Sequence, residues 1–483
     1  PPIGGYAGGG GEKIPPPPPP EGGGGGGGGG GDGLPPSPPA PLPPAGEGRF
    51  SAKLAGMKLT RRRLLSAALA ACAAPLFAQQ APALLPAAKG RRVAVVGGGW
   101  GGLSAARHLR ALAPELEVVL LERNPSFFSL PLSNKWLAGL VDGTLLSHDY
   151  RAAARTFGYA FLQAEVTAID RERRRVHTAG GTLDYDWLVL AVGIRHDYAA
   201  WFGEERRAIE RARQDFFCAW TPGGEFRALK AKLENFKRGD LVMTIPPPPY
   251  RCQPAPYERA LVIGHLFKTR AVPARLTLLD PNQVPQHFAD VFEAQYKDQI
   301  AVVPHARIKS VDPFAKTLAT EFDDIRFDDA LLMPPQQAGD LAWQAGLIGR
   351  DAAGKPTGWA AQDPLHLHAA GDERVFLAGD LIDRASPLFG HYPKSGHLAA
   401  RLGRIAAQEI AARSRGQAPE TLLPESSCFV TTRLSPPESL RIGTHYRLRG
   451  DGLIVQTTKQ DADFNPRGED VDWAKEMFRE LLG

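Results

Sequence analysis

The chain has 483 residues, and its compositional bias is concentrated at the N-terminus, where 34 of the first 50 residues are Gly or Pro. A segment of this composition cannot bury a hydrophobic core. Beyond residue 78 the chain carries 50 basic and 48 acidic residues, so the formal net charge of +5 does not indicate a nucleic-acid-binding protein. No basic patch with interleaved aromatic residues is present either.

The first methionine, Met57, begins a pattern that is typical of an export signal. Thr60-Arg61-Arg62-Arg63-Leu64-Leu65 precedes a short apolar run, so residues 57–78 are predicted to be a twin-arginine signal peptide. Residues 1–56 are then a low-complexity leader that is absent from the native protein, and the alternative is a disordered extension. Because Cys72 ends a sequence similar to a lipobox, lipoprotein anchoring stays open. Either route predicts a periplasmic protein without a membrane-spanning segment.

A strand, a glycine-rich turn and a helix are predicted next. The apolar run from Arg92 leads into Gly97-Gly98-Gly99-Trp100-Gly101-Gly102, which has the G-x-G-x-x-G spacing of a dinucleotide site. Gly97 permits the tight turn, Gly99 lets a pyrophosphate approach the backbone, and Gly102 lets helix and strand pack closely. A second strand ends in Glu122 and Arg123, where the carboxylate would bond a ribose hydroxyl and disfavour NADP.

Two later segments favour FAD over NAD as the bound dinucleotide. One predicted strand ends at Gly193, and another ends at Gly379-Asp380. In the flavoproteins with two dinucleotide folds, which these segments resemble, both strands return to the FAD and the Asp bonds its ribityl chain. Lys394-Ser395-Gly396 then precedes a predicted helix over about residues 397–412. The positive end of that helix would stabilise an anionic reduced flavin.

The domain predicted over residues 201–339 has a strand but no glycine turn. Leu241-Val242-Met243-Thr244-Ile245 runs into four prolines, Pro246 to Pro249. Prolines supply no N–H donors to a phosphate, so NADH and NADPH are not expected to bind. The same turn delivers Cys252 and Glu258 to the carboxyl end of a strand, where open α/β sheets bind their ligands.

At these residues the chain resembles the flavoprotein subunit of flavocytochrome c sulfide dehydrogenase and, more distantly, sulfide:quinone oxidoreductase. The resemblance covers about residues 90–483 and is carried by the segments Leu132-Ser133-Asn134, Arg251 to Ala260, Pro334-Pro335-Gln336 and Pro393 to Gly396. It implies an α/β fold with two Rossmann-like domains of the glutathione-reductase type and a C-terminal α+β interface domain. The corresponding segments are the FAD-binding domain over 90–200 and 340–412, the second nucleotide-like domain over 201–339, and a flavin-covering, partner-docking domain over 413–483.

The resemblance also implies a chemistry. Members of the family oxidise sulfide through a redox disulfide above the flavin and pass the electrons to a c-type cytochrome subunit. Cys252 matches the first cysteine of that disulfide, with Glu258 as a nearby base, and Asn134 and Trp473 match positions close to the flavin. Leu130 stands where the family attaches its flavin, so FAD is expected to be bound non-covalently.

The second cysteine of the family disulfide is missing, because Ala360 follows Gly358-Trp359 at that position. Two alternatives remain for the chemistry of this site. Cys252 acts alone, or Cys218 or Cys428 replaces the missing partner. Cys218 lies in an apolar run, which favours a buried structural position.

Three functions therefore stay open. The favoured one is a periplasmic, FAD-dependent dehydrogenase of sulfide or a related sulfur compound that reduces a c-type cytochrome. The others are a flavoprotein of the same fold with another donor and a quinone acceptor, and a non-catalytic FAD-binding subunit. The half-charged stretch over residues 469–478 counts against a membrane-facing quinone enzyme. No metal is expected, since His366 and His368 have no carboxylate at ligand spacing. For His391 a role in proton transfer and a hydrogen bond within a loop are both open.

Overall fold

The computed structural model describes residues 81–221 and 223–483. The predicted leader, the predicted signal peptide and Cys72 lie outside these residues. The elements of the described chain up to residue 190 are β1 (Arg92–Val96), α1 (Trp100–Leu112), β2 (Glu117–Glu122), β3 (Ser126–Phe128), α2 (Ser133–Leu137), a 3-10 helix (Gly143–Leu146), β4 (Ser147–Asp149), α3 (Tyr150–Phe157), β5 (Ala160–Gln163), β6 (Val166–Asp170), β7 (Arg175–Thr178), β8 (Gly181–Asp184) and β9 (Trp187–Leu190).

The middle of the chain contains the second parallel sheet and its helices. Its elements are β10 (Ile194–His196), α4 (Ala199–Phe202), α5 (Arg206–Asp215), α6 (Gly224–Asn235), β11 (Gly239–Thr244), α7 (Ala255–Thr269), β12 (Ala274–Asp280), α8 (Gln286–Tyr296), β13 (Ile300–Pro304), β14 (Ser310–Asp312), β15 (Thr317–Ala319), β16 (Asp324–Arg326), β17 (Asp329–Leu331) and β18 (Gln336–Ala338).

The last part returns to the first sheet and then forms an antiparallel sheet. Its elements are α9 (Asp340–Gln344), β19 (Ile348–Arg350), β20 (Pro356–Ala360), β21 (His368–Ala369), β22 (Asp372–Leu377), α10 (Gly396–Ser414), β23 (Glu425–Leu434), β24 (Pro437–Leu448), β25 (Ile454–Asp463) and α11 (Glu469–Leu482).

The first sheet has the strand order β21-β22-β9-β1-β2-β5, and every neighbouring pair except β21–β22 is parallel. Strand β1 is buried along its whole length, and after Arg92 its residues are all apolar, as expected for a parallel strand that is covered on both faces. Helices α1 and α10 cover one face of this sheet and pack closely against each other at glycines. A Cβ on Gly403 of α10 would overlap the carbonyl oxygen of Gly101 of α1. Helix α10 matches the predicted helix and extends about two residues further.

The second sheet has the order β13-β12-β11-β17 and is parallel throughout. Both parallel sheets confirm the α/β, Rossmann-like fold that the strand and glycine pattern predicted. The glutathione-reductase-type division and the separate C-terminal interface domain stay predictions. Strands β23, β24 and β25 form the antiparallel sheet that follows α10.

Helix α11, the last helix, packs against the first domain. Its side chains Ala474, Met477, Phe478 and Leu481 are at most 5 % exposed and belong to the same core cluster as Trp100 of α1. Among the helices of the described residues, none is long and apolar enough to cross a membrane.

Candidate functional site

One cavity of about 1030 Å³ lies where the first sheet, the proline turn and strand β23 meet. Its volume is at the upper end of the range for small-molecule and cofactor sites. The predicted site residues that line it are Gly97, Gly99, Glu122, Arg123, Asn134, Gly193, Cys252, Glu258, Gly379, Asp380, Lys394, Ser395, Gly396 and Trp473. Gly102 does not line the cavity, in agreement with its predicted role in the close packing of helix α1 against strand β1.

The glycine turn between β1 and α1 has the geometry that its three glycines predict. Gly97 has φ +102°, and a Cβ there would lie 2.5 Å from the carbonyl oxygen of Ala191. A Cβ on Gly102 would overlap the carbonyl oxygen of Gly97, whereas a Cβ on Gly99 would meet no protein atom within 4 Å. The free space at Gly99 lies at the start of α1, where a helix favours an anion.

Glu122 ends β2 with both carboxylate oxygens already oriented. Oε2 accepts a hydrogen bond from Gly98 N at 2.7 Å, and Oε1 accepts from Asn124 N at 2.8 Å. This fixes the carboxylate at the edge of the cavity, beside the glycine turn. Arg123 is exposed and forms an ion pair with Glu165 at 3.5 Å.

The proline turn presents Cys252 in a left-handed conformation, with φ +52°. A non-glycine residue adopts this conformation only when its surroundings hold it there. Cys252 N donates to Lys394 O at 2.8 Å, and Ala255 N donates to Cys252 O at 2.9 Å. Burial raises the pKa of the Cys252 thiol well above its usual value, and the nearby Cys428 and Glu258 raise it further. At neutral pH Cys252 is therefore a thiol.

Glu258 lies one turn into α7 and is held by two donors. Asn134 Nδ2 donates to Oε2 at 2.7 Å, and Thr431 N donates to Oε1 at 2.8 Å. Burial raises the pKa of the Glu258 carboxyl. Both oxygens are thus bonded to Asn134 and Thr431 rather than to Cys252, and an ionised Glu258 makes the Cys252 thiolate harder to form. The role of Glu258 as a base stays a prediction.

Arg251 and Asp380 join the proline turn to the end of β22. Arg251 Nε lies 2.6 Å from Asp380 Oδ2, and Arg251 N donates to Gln336 Oε1 at 2.8 Å. The sequence singled out Asp380 for the ribityl chain but assigned no function to Arg251. Its position directly before Cys252 was the one feature of the sequence that could have marked Arg251 as a site residue.

Lys394 is only 4 % exposed, and its ammonium group lies beneath the Asp380 loop. Nζ donates to the carbonyl oxygens of Asp380 at 2.8 Å and Ile382 at 3.1 Å, and it lies 3.7 Å from the centre of the Trp359 ring. Burial lowers the pKa of Lys394 to about 7. The next residue, Ser395, caps α10 by accepting a hydrogen bond from Leu398 N.

Several buried nitrogen atoms around the cavity have no protein partner. They are the indole Nε1 atoms of Trp220 and Trp473 and the ring Nδ1 of His196. A buried polar atom without a partner is costly, and a bound molecule that carries hydrogen-bonding atoms would satisfy it. Together with the open glycine turn and the oriented Glu122, these polar atoms fit a dinucleotide with a polar ring system such as FAD.

The structure also separates the candidates for the missing cysteine. Cys428 on β23 lines the cavity together with Cys252. Cys218 does not line it and is 1 % exposed, with its Sγ 3.4 Å from His196 Nε2, as expected for a buried structural cysteine. Ala360 is fully buried on β20 and also lies outside the lining of the cavity.

Two histidines that the sequence singled out, His391 and His366, each have a carboxylate nearby. His391 does not line the cavity and lies 3.9 Å from Asp383 through Nε2. His366 Nδ1 lies 2.8 Å from Glu409 Oε1. In the described part of the chain, no group of three or more His, Cys, Asp or Glu side chains is placed to hold a metal ion.

Comparison with known proteins matches two family models to this chain. Residues 91–215 match the pyridine nucleotide-disulphide oxidoreductases, and residues 226–334 match the central segment of the sulfide dehydrogenase (flavocytochrome c) flavoprotein chain. A sulfide-quinone reductase of Aquifex aeolicus is 23% identical over 340 residues, which cover 66% of this chain and 76% of that protein.

Two further similarities concern the fold and its first part. The solved structure of the sulfide:quinone oxidoreductase from Aquifex aeolicus has a TM-score of 0.63 and 18% sequence identity, covering 81% of this chain and 91% of the other. A type II NADH:quinone oxidoreductase of Staphylococcus haemolyticus is 29% identical over 109 residues, which cover 22% of this chain. This chain spans about a quarter of that enzyme, 27% of its length.

These findings confirm the resemblance that the sequence motifs indicated. The chain is thus similar to the pyridine nucleotide-disulphide oxidoreductases over residues 91–215 and to the flavoprotein chain of flavocytochrome c sulfide dehydrogenase over residues 226–334, and it shares the fold of a sulfide:quinone oxidoreductase.

Proposed function

We propose that the protein is an FAD-dependent dehydrogenase of sulfide or a related sulfur compound, with Cys252 as the residue that receives the sulfur. One observation carries this proposal: Gly99 of the glycine turn and Cys252, 153 residues apart in the chain, line the same cavity. The match of residues 226–334 to the sulfide dehydrogenase flavoprotein chain supports it, because this segment contains the proline turn and Cys252.

The residues of the cavity divide into binding and reacting groups. The start of α1 and Glu122 would hold the adenosine diphosphate part of FAD, and Asp380 with Arg251 would lie along its ribityl chain. Trp473 packs against Phe429, with ring centres 5.6 Å apart, and both residues line the cavity. When bound, FAD supplies a two-electron acceptor for the sulfur chemistry. Leu130 also lines the cavity and offers no thiol for a covalent link, which supports non-covalent binding.

We propose that NADH and NADPH are not donors, although some relatives are named for NADH. In the first sheet the acidic residue at the end of the second strand, Glu122, lines the cavity. The corresponding residue of the second sheet is Asp280 at the end of β12, and it is fully buried. Tyr257 donates its hydroxyl hydrogen to Asp280 Oδ2 at 2.6 Å, and Asn282 N donates to Oδ1 at 2.8 Å. A ribose therefore finds no free carboxylate there, which adds to the absence of N–H donors in the proline turn.

The proposed electron acceptor is a c-type cytochrome subunit, and the proposed location is the periplasm. The family match and the twin-arginine pattern at residues 57–78 support these two assignments. The similarity to a sulfide-quinone reductase favours a quinone as the alternative acceptor. Against a quinone site at the membrane, the apolar side chains of α11 are buried in the core of the protein's own first domain.

Anaerobic mixing of the purified holoprotein with sulfide tests the function. The visible absorbance of the flavin is expected to bleach in the wild type and in Cys218→Ser, and to persist in Cys252→Ser. NADH is expected to leave it unchanged. Adding oxidised cytochrome c or a soluble quinone to the bleached protein then identifies the acceptor by the faster recovery of the absorbance. An unbleached wild type would refute the proposed function.

A further inference from the structure

Two thiols share the cavity. Of the three cysteines in the described residues, Cys252 and Cys428 line it and are partly exposed, whereas Cys218 is buried and does not line it. Cys428 lies on β23 and follows Cys252 by 176 residues in the sequence. The cavity contains no third thiol from the described residues.

Backbone hydrogen bonds hold both cysteine segments against the same short stretch of chain. Cys252 N donates to Lys394 O at 2.8 Å. Ser427 N, directly before Cys428, donates to His397 Nδ1 at 3.1 Å. Lys394 and His397 are three residues apart, so their Cα atoms lie at most about 11 Å from each other.

A third contact joins the same segments on the other side of the cysteines. Glu258, six residues after Cys252, accepts a hydrogen bond from Thr431 N, three residues after Cys428, at 2.8 Å. The two cysteine segments are thus connected indirectly, through Lys394 and His397, and directly, through the Glu258–Thr431 hydrogen bond.

The electrostatics of the cavity favour an uncharged sulfur pair. Burial raises the pKa of Cys428 to about 12, and Glu258 contributes to the rise. After burial, the charge of Cys428 is the largest influence that raises the pKa of Cys252. Two thiolates cannot be stable together beside Glu258, whereas a disulfide carries no charge that must be desolvated.

We propose that Cys252 and Cys428 form the redox pair of this site, with Cys428 supplying the second sulfur that Ala360 does not. The proposal rests on the proposed function and adds a residue to it. Closing the pair removes one proton from each thiol, forms the S–S bond and releases two electrons to a two-electron acceptor, FAD in the proposed function. Sulfide, as HS⁻, then attacks one sulfur of the disulfide. The S–S bond breaks, the attacked cysteine keeps the added sulfur as a persulfide, and the other cysteine leaves as a thiolate, so this step needs no further oxidant.

The test uses the holoprotein, oxidised with the thiol oxidant diamide, alkylated and digested for mass spectrometry. A peptide pair linked through Cys252 and Cys428 is expected in the wild type and in the matched control Cys218→Ser, with complete loss of this pair in Cys428→Ser. Cys428→Ala is a second variant, and the flavin spectrum of each variant verifies that it is folded. Separate alkylation of Cys252 and Cys428 after oxidation of the wild type would overturn the pairing.

The same samples keep the two proposals apart. Sulfide bleaching without a linked peptide would end the Cys428 proposal and leave the proposed function intact. A linked peptide without sulfide bleaching would support the pair and end the proposed function.

Discussion

The variant Gly99→Ala tests whether the glycine turn holds the pyrophosphate of FAD. Gly99 has φ −71° and ψ −174°, which alanine adopts without strain, and a Cβ there meets no protein atom within 4 Å. The fold of the apoprotein is therefore expected to change in stability by less than about 0.5 kcal/mol. A methyl group in space that a phosphate must occupy costs about 1–3 kcal/mol, which corresponds to a roughly 5- to 150-fold higher Kd for FAD.

The assay is a titration of the apoprotein with FAD, followed by flavin fluorescence, together with thermal unfolding of the apoprotein. Gly102→Ala is the matched control, because its Cβ would overlap the carbonyl oxygen of Gly97. That variant is expected to lose about 1–3 kcal/mol of stability even without FAD. A Gly99→Ala protein that binds FAD as tightly as the wild type would show that the pyrophosphate does not lie at this turn.

Three further substitutions are informative. The pKa of Lys394 is about 7 in the folded protein and near 10.4 in the unfolded chain, so the unfolded chain binds more protons between pH 7 and 10. The free energy of unfolding therefore rises with pH over this range, by up to about 1.4 kcal/mol per pH unit. Lys394→Met is expected to remove this slope in urea unfolding, and equal slopes would contradict the assignment. Tyr257→Phe leaves the buried Asp280 without its 2.6 Å bond and is expected to cost about 1–3 kcal/mol of stability without enabling reduction by NADH. Arg251→Met unpairs Asp380 and is expected to weaken FAD retention on gel filtration; full retention would remove the pair from the binding site.

Local patterns predicted the elements that depend on neighbouring residues. The glycine turn needs a positive φ at Gly97 and close packing at Gly102, and only glycine meets both requirements, so its spacing in the sequence was informative. The strands that end at Gly193 and Asp380 were recognisable as short apolar runs. The structure places both ends at the cavity.

Contacts between distant segments were not predictable in this way. Arg251 pairs with Asp380 across 129 residues, and Glu258 bonds Thr431 across 173 residues. No spacing rule links such positions, because the fold brings them together. For the same reason the sequence counted against Cys218 only through its apolar run and could not place Cys428 in the site, whereas the structure shows that of the two only Cys428 lines the cavity.

The most direct test of the account is the fate of the sulfur atom at Cys252. A holoprotein that has reacted anaerobically with one equivalent of sulfide is alkylated and digested, and the peptide that contains Cys252 is weighed. We expect this peptide to gain one sulfur atom, as a persulfide, in the wild type and in Cys218→Ser. Sulfide bleaching of the flavin with no added sulfur on Cys252 or Cys428 would contradict the central claim that this site oxidises sulfide through its cysteines.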